Sequence, residues 1–118
     1  GSYARKLRKS DGVVEWSLPA RTVWCHARAV TPWPGAATSH AGRRVIVLRS
    51  RPVEGQGAPG EVLAVDAQGV VVACGQGALR LVRVKPEGRA ELDASEWARG
   101  ARVTPGDRLS PGEESHRD

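Results

Sequence analysis

A chain of 118 residues with a formal net charge of +5 and 40% hydrophobic content has the size of one domain with a modest core. No apolar run approaches the roughly 20 residues of a membrane-spanning helix and no stretch has the form of a signal-peptide core, so the chain reads as cytoplasmic with no membrane partner. The two cysteines, Cys25 and Cys74, follow no metal-ligand spacing and read as reduced thiols.

The charge is unevenly placed. Residues 1–51 carry ten Lys and Arg against two acids, Asp11 and Glu15, a net of +8. The remaining 67 residues carry eight against eleven, a net of −3, and the two parts restore the +5 of the whole. A half-chain this basic attracts polyanions through its long-range field and through release of their counterions.

Gly1-Ser2 reads as a cloning remnant, and Arg5, Lys6, Arg8 and Lys9 make 1–12 a basic linker arm with little to bury. Val13-Val14-Glu15-Trp16 is a short extended piece with Trp16 tucked against the body. Ser17 occupies an N-cap position and Pro19 is tolerated in a first turn, so a helix is predicted to run from there to about Ala29. Ala20, Val23, Trp24, Ala27 and Val30 recur at helical spacing as its buried stripe, while Arg21, Cys25 and Arg28 share another face. The helix must end before Thr31-Pro32, because the residue before a proline avoids the α region. Trp33, fixed between Pro32 and Pro34, reads as a packing anchor rather than a base-stacking platform.

A short strand over 36–40 follows, with His40 read as a solvent-exposed imidazole beside the turn at Ala41-Gly42. The next strand, 43–53, starts apolar and ends basic, so it leaves the core and presents Arg49 and Arg51 at a rim. A Gly/Pro-rich loop over 54–60 leads to a third strand over 61–66. The centre of the chain is 69–86, two strands folded back at Gly75-Gln76-Gly77. Its first arm is continuously apolar and suits a strand covered on both faces. In its second arm Leu79 and Leu81 face one way, but Val82 and Val84 carry apolar character to the other, which predicts a bulge or a twist. No helix follows the Gly-x-Gly, so it is a hairpin and not a phosphate-cradling loop. Asp93-Ala94-Ser95-Glu96 has the form of a capping box before a short helix that carries Trp97 and stops at Gly100. The chain from Pro105 turns polar and reads as tail, disordered over 110–118.

Summed, these elements predict a mainly β domain over 13–109. It would be a small OB-like β-barrel of about five strands with a leading α-helix and a short trailing helix. A sandwich, which usually needs seven strands, fits less well. Catalysis is not visible: His26, His40 and His116 have no spacing that joins them to a nucleophile or a carboxylate, and metal binding would need more donors.

Glu15-Trp16-Ser17 before an amphipathic helix, Arg28-Ala29-x-x-Pro32-Trp33-Pro34-Gly35, Ala58-Pro59-Gly60 and the run from Val72 to Leu81 together resemble the C-terminal domain of the methionyl-tRNA formyltransferase family. Lys85-Pro86-Glu87-Gly88-Arg89, Ala94-x-Glu96-Trp97-x-x-Gly100 and Pro105-Gly106-x-Arg108-Leu109 continue the likeness, in order and with matching gaps. The resemblance implies an OB-like barrel appended to an N-terminal formyltransferase domain absent from this chain. That domain would move a formyl group from 10-formyltetrahydrofolate to methionyl initiator tRNA. The chain itself would be non-catalytic, would need no cofactor, and would hold the tRNA through its backbone. Arg5, Lys6, Arg8 and Lys9 stand at the family's basic linker, Arg43 and Arg44 at its basic turn-to-strand position, and Arg89 after its Pro-x-Gly; Arg49 has a frequent basic counterpart. Gln76 departs from the family's usual Asp in the hairpin. Arg51, Arg80 and Arg83 match no fixed basic position. The alternative is a scaffold domain of a related formyltransferase that acts on nucleotide sugars or on folate.

Overall fold

In the computed structural model, which describes residues 13–30 and 35–111, the elements run α1 (Ala20–Ala29), β1 (Ala36–His40), β2 (Arg43–Val53), β3 (Val62–Asp66), β4 (Gly69–Ala73) and β5 (Ala78–Pro86). There follow β6 (Leu92–Asp93), α2 (Ala94–Ala101) and β7 (Leu109–Pro111). The seven strands form one antiparallel sheet in the order β3-β4-β5-β2-β1-β7, with β6 pairing beside β5. Every residue of β4 is buried, as a continuously apolar strand requires, and Leu79, Leu81 and Val84 of β5 supply the largest inward side chains beside it.

The sheet curls until its edges meet. Glu61, just before β3, bridges to Arg108, just before β7, and Val62 N–H donates to the Asp107 carbonyl at 2.8 Å. Gly106 N–H returns a bond to the Val62 carbonyl at 2.8 Å, and Leu109 N–H donates to the Gly60 carbonyl at 2.7 Å. Closing the edges in this way satisfies backbone groups that an open sheet would leave to other chains. The mainly β, OB-like architecture is therefore the one expected. Two short strands are added to the expected five, and part of the segment read as polar tail is strand β7. The strand count that argued against a sandwich does not discriminate; the continuity of one curled sheet does.

Neither helix has a side-chain cap at its N-terminus. The α1 helix begins at Ala20, not at Ser17, with Pro19 at the N-cap and no side-chain cap. Ser17 Oγ donates to Glu15 instead, at 2.8 Å. The amide of Ala20 finds its acceptor in the Gln76 carbonyl at 2.8 Å, so the tip of the β4–β5 hairpin caps the helix across the fold. Gly75 makes this possible: a Cβ there would collide with the Ser17 carbonyl oxygen. At α2, Asp93 is the N-cap residue but makes no capping bond, because its carboxylate is drawn to Arg83 at 2.7 Å. The predicted capping box is thus not formed. That helix also passes Gly100 and ends on Arg102, which adopts the left-handed conformation at φ 59°.

The stripe of Ala20, Val23, Ala27 and Val30 packs α1 into the core, and the partly buried Trp24 donates its indole N–H to the Ser50 carbonyl at 3.0 Å. Trp16 is buried as expected and donates to Thr38 Oγ1 at 3.0 Å, whose hydroxyl in turn donates to the Ser110 carbonyl at 2.6 Å. The one fully buried hydroxyl among the described residues is therefore satisfied on both sides. The expected irregularity lies between β2 and β5, where the register shifts around Arg49. Trp33 lies outside the described residues.

Candidate nucleic-acid interface

The β2–β5 ribbon sets most of the basic geometry. At the register shifts Arg49 stands opposite Arg83, and two residues further on Arg51 stands opposite Arg80, so two pairs of arginines oppose each other across the ribbon. Like charges directly opposed destabilise a sheet unless something offsets them. The β5 pair is offset from within the chain. Arg80 binds Asp66 at 3.0 Å, and Arg83 binds Glu91 at 2.8 Å and Asp93 at 2.7 Å. The Glu91 and then the Asp93 hydrogen bonds hold the Arg83 guanidinium above its usual range, and the Gln68 amide, followed by Arg80, holds the Asp66 carboxyl below 3.8. Arg49 and Arg51 are exposed and have no such partner among the described residues.

At the opposite end of β2 the chain turns back on β1 through Ala41 and Gly42, both at positive φ, which places Arg43 opposite His40 and Arg44 opposite Ser39. The amide of Glu87 donates to the Arg44 carbonyl at 2.9 Å, and the turn it begins carries Arg89 to the same end. Arg43, Arg44 and Arg89 thus line one cavity of about 320 Å³, joined by Arg102 from the end of α2. Among the described residues, no carboxylate lies within 4.0 Å of Arg43, Arg44, Arg49, Arg51, Arg89 or Arg102.

His40 corrects its expectation. Its side chain is only 11% exposed, its Nε2 lies 3.1 Å from Asp107, and its ring meets Trp97 edge-on at 5.9 Å. The hydrogen bond from His40, then the Thr104 amide, holds the Asp107 carboxyl below its usual range. The contact ties the β1–β2 turn to the segment before β7 and to α2, and so fixes the wall of the cavity. On α1, Arg28 lies over the Trp24 ring at 4.8 Å, and Cys25 is an exposed free thiol. The Cys74 thiol is buried and pushed up to about 11 by desolvation. No group of three or more His, Cys, Asp or Glu that could hold a metal occurs among the described residues, and no helix there is long and apolar enough to cross a membrane.

Of the residues singled out from sequence, Arg43, Arg44 and Arg89 come together and Arg49 stands apart with Arg51 at the far end of β2. Arg5, Lys6, Arg8 and Lys9 lie outside the described residues. Arg102 escaped notice, since it follows a helix whose predicted end was Gly100 and nothing local aims it toward β2.

The class this fold defines is a small curled β domain, and among the described residues the guanidinium groups of Arg43, Arg44, Arg89 and Arg102 have no carboxylate within 4.0 Å. Residues 6–102 match the family described as "Formyl transferase, C-terminal domain", and the chain belongs to that family. It is 46% identical over 108 residues to methionyl-tRNA formyltransferase from Thermus thermophilus and 42% identical over 111 residues to that of Magnetococcus marinus. These alignments cover 92% and 94% of this chain but only 35% and 36% of those proteins, so the chain spans about a third of their length. In fold it is similar to HypX from Aquifex aeolicus, solved in complex with tetrahydrofolic acid. That match has a TM-score of 0.72 at 23% identity and covers 94% of this chain and 21% of that one.

Proposed function

We propose that this domain holds initiator methionyl-tRNA by electrostatic contacts to its backbone, in the cytoplasm, for formylation by an N-terminal domain that lies outside this chain and takes 10-formyltetrahydrofolate as donor. The observation that carries the reading is that Arg43, Arg44, Arg49 and Arg89 have no carboxylate within 4.0 Å among the described residues, while Arg80 and Arg83 do. Partnerless guanidinium groups on a domain of net charge +5 keep their full attraction for phosphate. The linker residues Arg5, Lys6, Arg8 and Lys9 extend the same charge along the chain. The domain takes no chemical step: it positions the acceptor, and contacts to phosphate set position without reading sequence.

The test is a titration of the 118-residue chain with initiator tRNA and several elongator tRNAs at two or more salt concentrations. The expected result is micromolar or weaker affinity, little discrimination among tRNAs, and a log–log salt slope of a few units, at about 0.9 per phosphate contact for a duplex. Affinity indifferent to salt overturns the reading and leaves a scaffold domain that packs on its catalytic neighbour.

A further inference from the structure

The groove between α1 and β2 carries an arrangement that the arginines of the β1–β2 turn do not explain. Trp24 and Arg28 are four residues apart on α1, hence on one face, and the Arg28 guanidinium lies over the Trp24 ring, 4.8 Å from its centroid. The indole N–H donates to the Ser50 carbonyl at 3.0 Å, so the ring is fixed against β2 where that strand has run past its pairing with β1. Arg28 is exposed, and among the described residues no carboxylate lies within 4.0 Å of it. Beside it Ala27, Val47, Leu48 and Ser50 complete a hollow of about 220 Å³. That volume is below the range of pockets that enclose drug-sized ligands, and Ala27, Val47 and Leu48 give it an apolar floor. Arg49 and Arg51 flank Ser50 along β2, exposed and equally without a carboxylate among the described residues.

A small apolar hollow walled by a stacked guanidinium suits a flat heterocycle, and the surrounding positive charge suits a heterocycle carried on phosphate. Unpaired bases stack on aromatic rings and on guanidinium planes, and every base has a face to offer. A base inside a duplex has both faces covered by its neighbours. We propose that this hollow seats one unpaired base of a nucleic-acid strand, stacked on the Arg28 guanidinium that Trp24 backs, with Arg49 and Arg51 attracting the phosphates beside it. The proposal rests on the polyanion reading and deepens it. Arginines at the β1–β2 turn attract phosphate by charge, whereas this groove distinguishes an unpaired strand from a paired one. Stacking tolerates any base, so it adds affinity without selecting among tRNAs.

The experiment follows the Trp24 indole N–H and Arg28 Nε–H resonances of the 118-residue chain during additions of a short single-stranded RNA, a duplex RNA and inorganic polyphosphate, at one salt concentration and matched phosphate. Affinities for the three are measured in parallel for Arg28→Lys and Leu48→Trp, each checked for folding by its thermal midpoint. The single strand should move both resonances well beyond the shifts given by the duplex or by polyphosphate. Arg28→Lys keeps the charge but not the flat stacking surface, so it should weaken the single strand about tenfold and leave polyphosphate unchanged. Leu48→Trp fills the hollow at constant charge and should have the same selective effect. Equal shifts from all three anions, with Arg28→Lys matching the parent for each, reduce Arg28 to one more charge and overturn the base site while the polyanion reading stands. Resonances that no anion moves, in a chain that still binds tRNA with a salt slope, leave the hollow to an apolar side chain of another protein domain and also overturn the base site. Selective shifts with the single strand, in a chain whose tRNA affinity is indifferent to salt, keep the base site and overturn the polyanion reading.

Discussion

Two groups of arginines differ in what faces them. On β5, Arg80 and Arg83 are held by Asp66, Glu91 and Asp93, three carboxylates brought from the β3–β4 turn and from the approach to α2. At the β1–β2 turn, Arg43, Arg44 and Arg89 line a cavity with Glu87 and Glu96, but among the described residues no carboxylate lies within 4.0 Å of the three arginines. Residue type is the same in both places, and the function it permits is opposite. A guanidinium that already holds a carboxylate must exchange one anion for another to bind phosphate, while a partnerless one has only water to release. Net charge is therefore a poor guide to where a polyanion sits; the local count of unpaired groups is the better one.

The comparison is open to attack from both sides. Reversing the turn cluster, with Arg43→Glu and Arg44→Glu together, should lower tRNA affinity by roughly two decades at low salt and the salt slope by about two units. Equal affinity for parent and variant would show that the cluster is not the contact surface. Unmasking the β5 group is the converse: Glu91→Gln with Asp93→Asn leaves Arg83 partnerless beside Arg49. Affinity should then rise several-fold and the slope by about one unit, read in the same titration. Because Asp93 makes no capping bond, α2 should keep its helicity by circular dichroism in that variant.

A third measurement uses pH. The folded chain holds the Asp66 carboxyl below its usual range, first through the Gln68 amide and then through Arg80. A depressed carboxyl adds stability that is fully present above its unfolded value and is lost as pH falls through its folded value. The thermal midpoints of the parent and of Asp66→Asn should therefore differ at neutral pH and converge as the pH falls through the depressed folded value. A gap independent of pH would remove the charge interaction from the explanation. The smallest effect belongs to Arg83→Ala. Its ion pairs are solvent-exposed, so the midpoint should drop only slightly and tRNA affinity should stay within about twofold.

Much of this molecule was legible before any coordinates. The buried strand at 69–73, the irregularity that became the register shift at Arg49, the buried Trp16 and the stripe of α1 all follow from local pattern, because a strand or helix writes its exposed and buried faces into neighbouring residues. Arg43, Arg44 and Arg89 were singled out by the likeness to a family and not by spacing, and that they line one cavity is seen only in the structure. Arg102 had no signal in either, since its place depends on where α2 stops.

By itself the sequence determined a mainly β domain, its central hairpin and the lopsided cationic charge. Tertiary structure alone decided that Gln76 caps α1, that 106–109 closes the sheet, that Asp93 serves Arg83 rather than its own helix, and that His40 is held by Asp107. The physical reason lies in sequence separation. Each joins groups distant in sequence, and at the α1 start and Asp93 the distant partner replaces one that local pattern predicts; sequence pattern records only partners that are close along the chain.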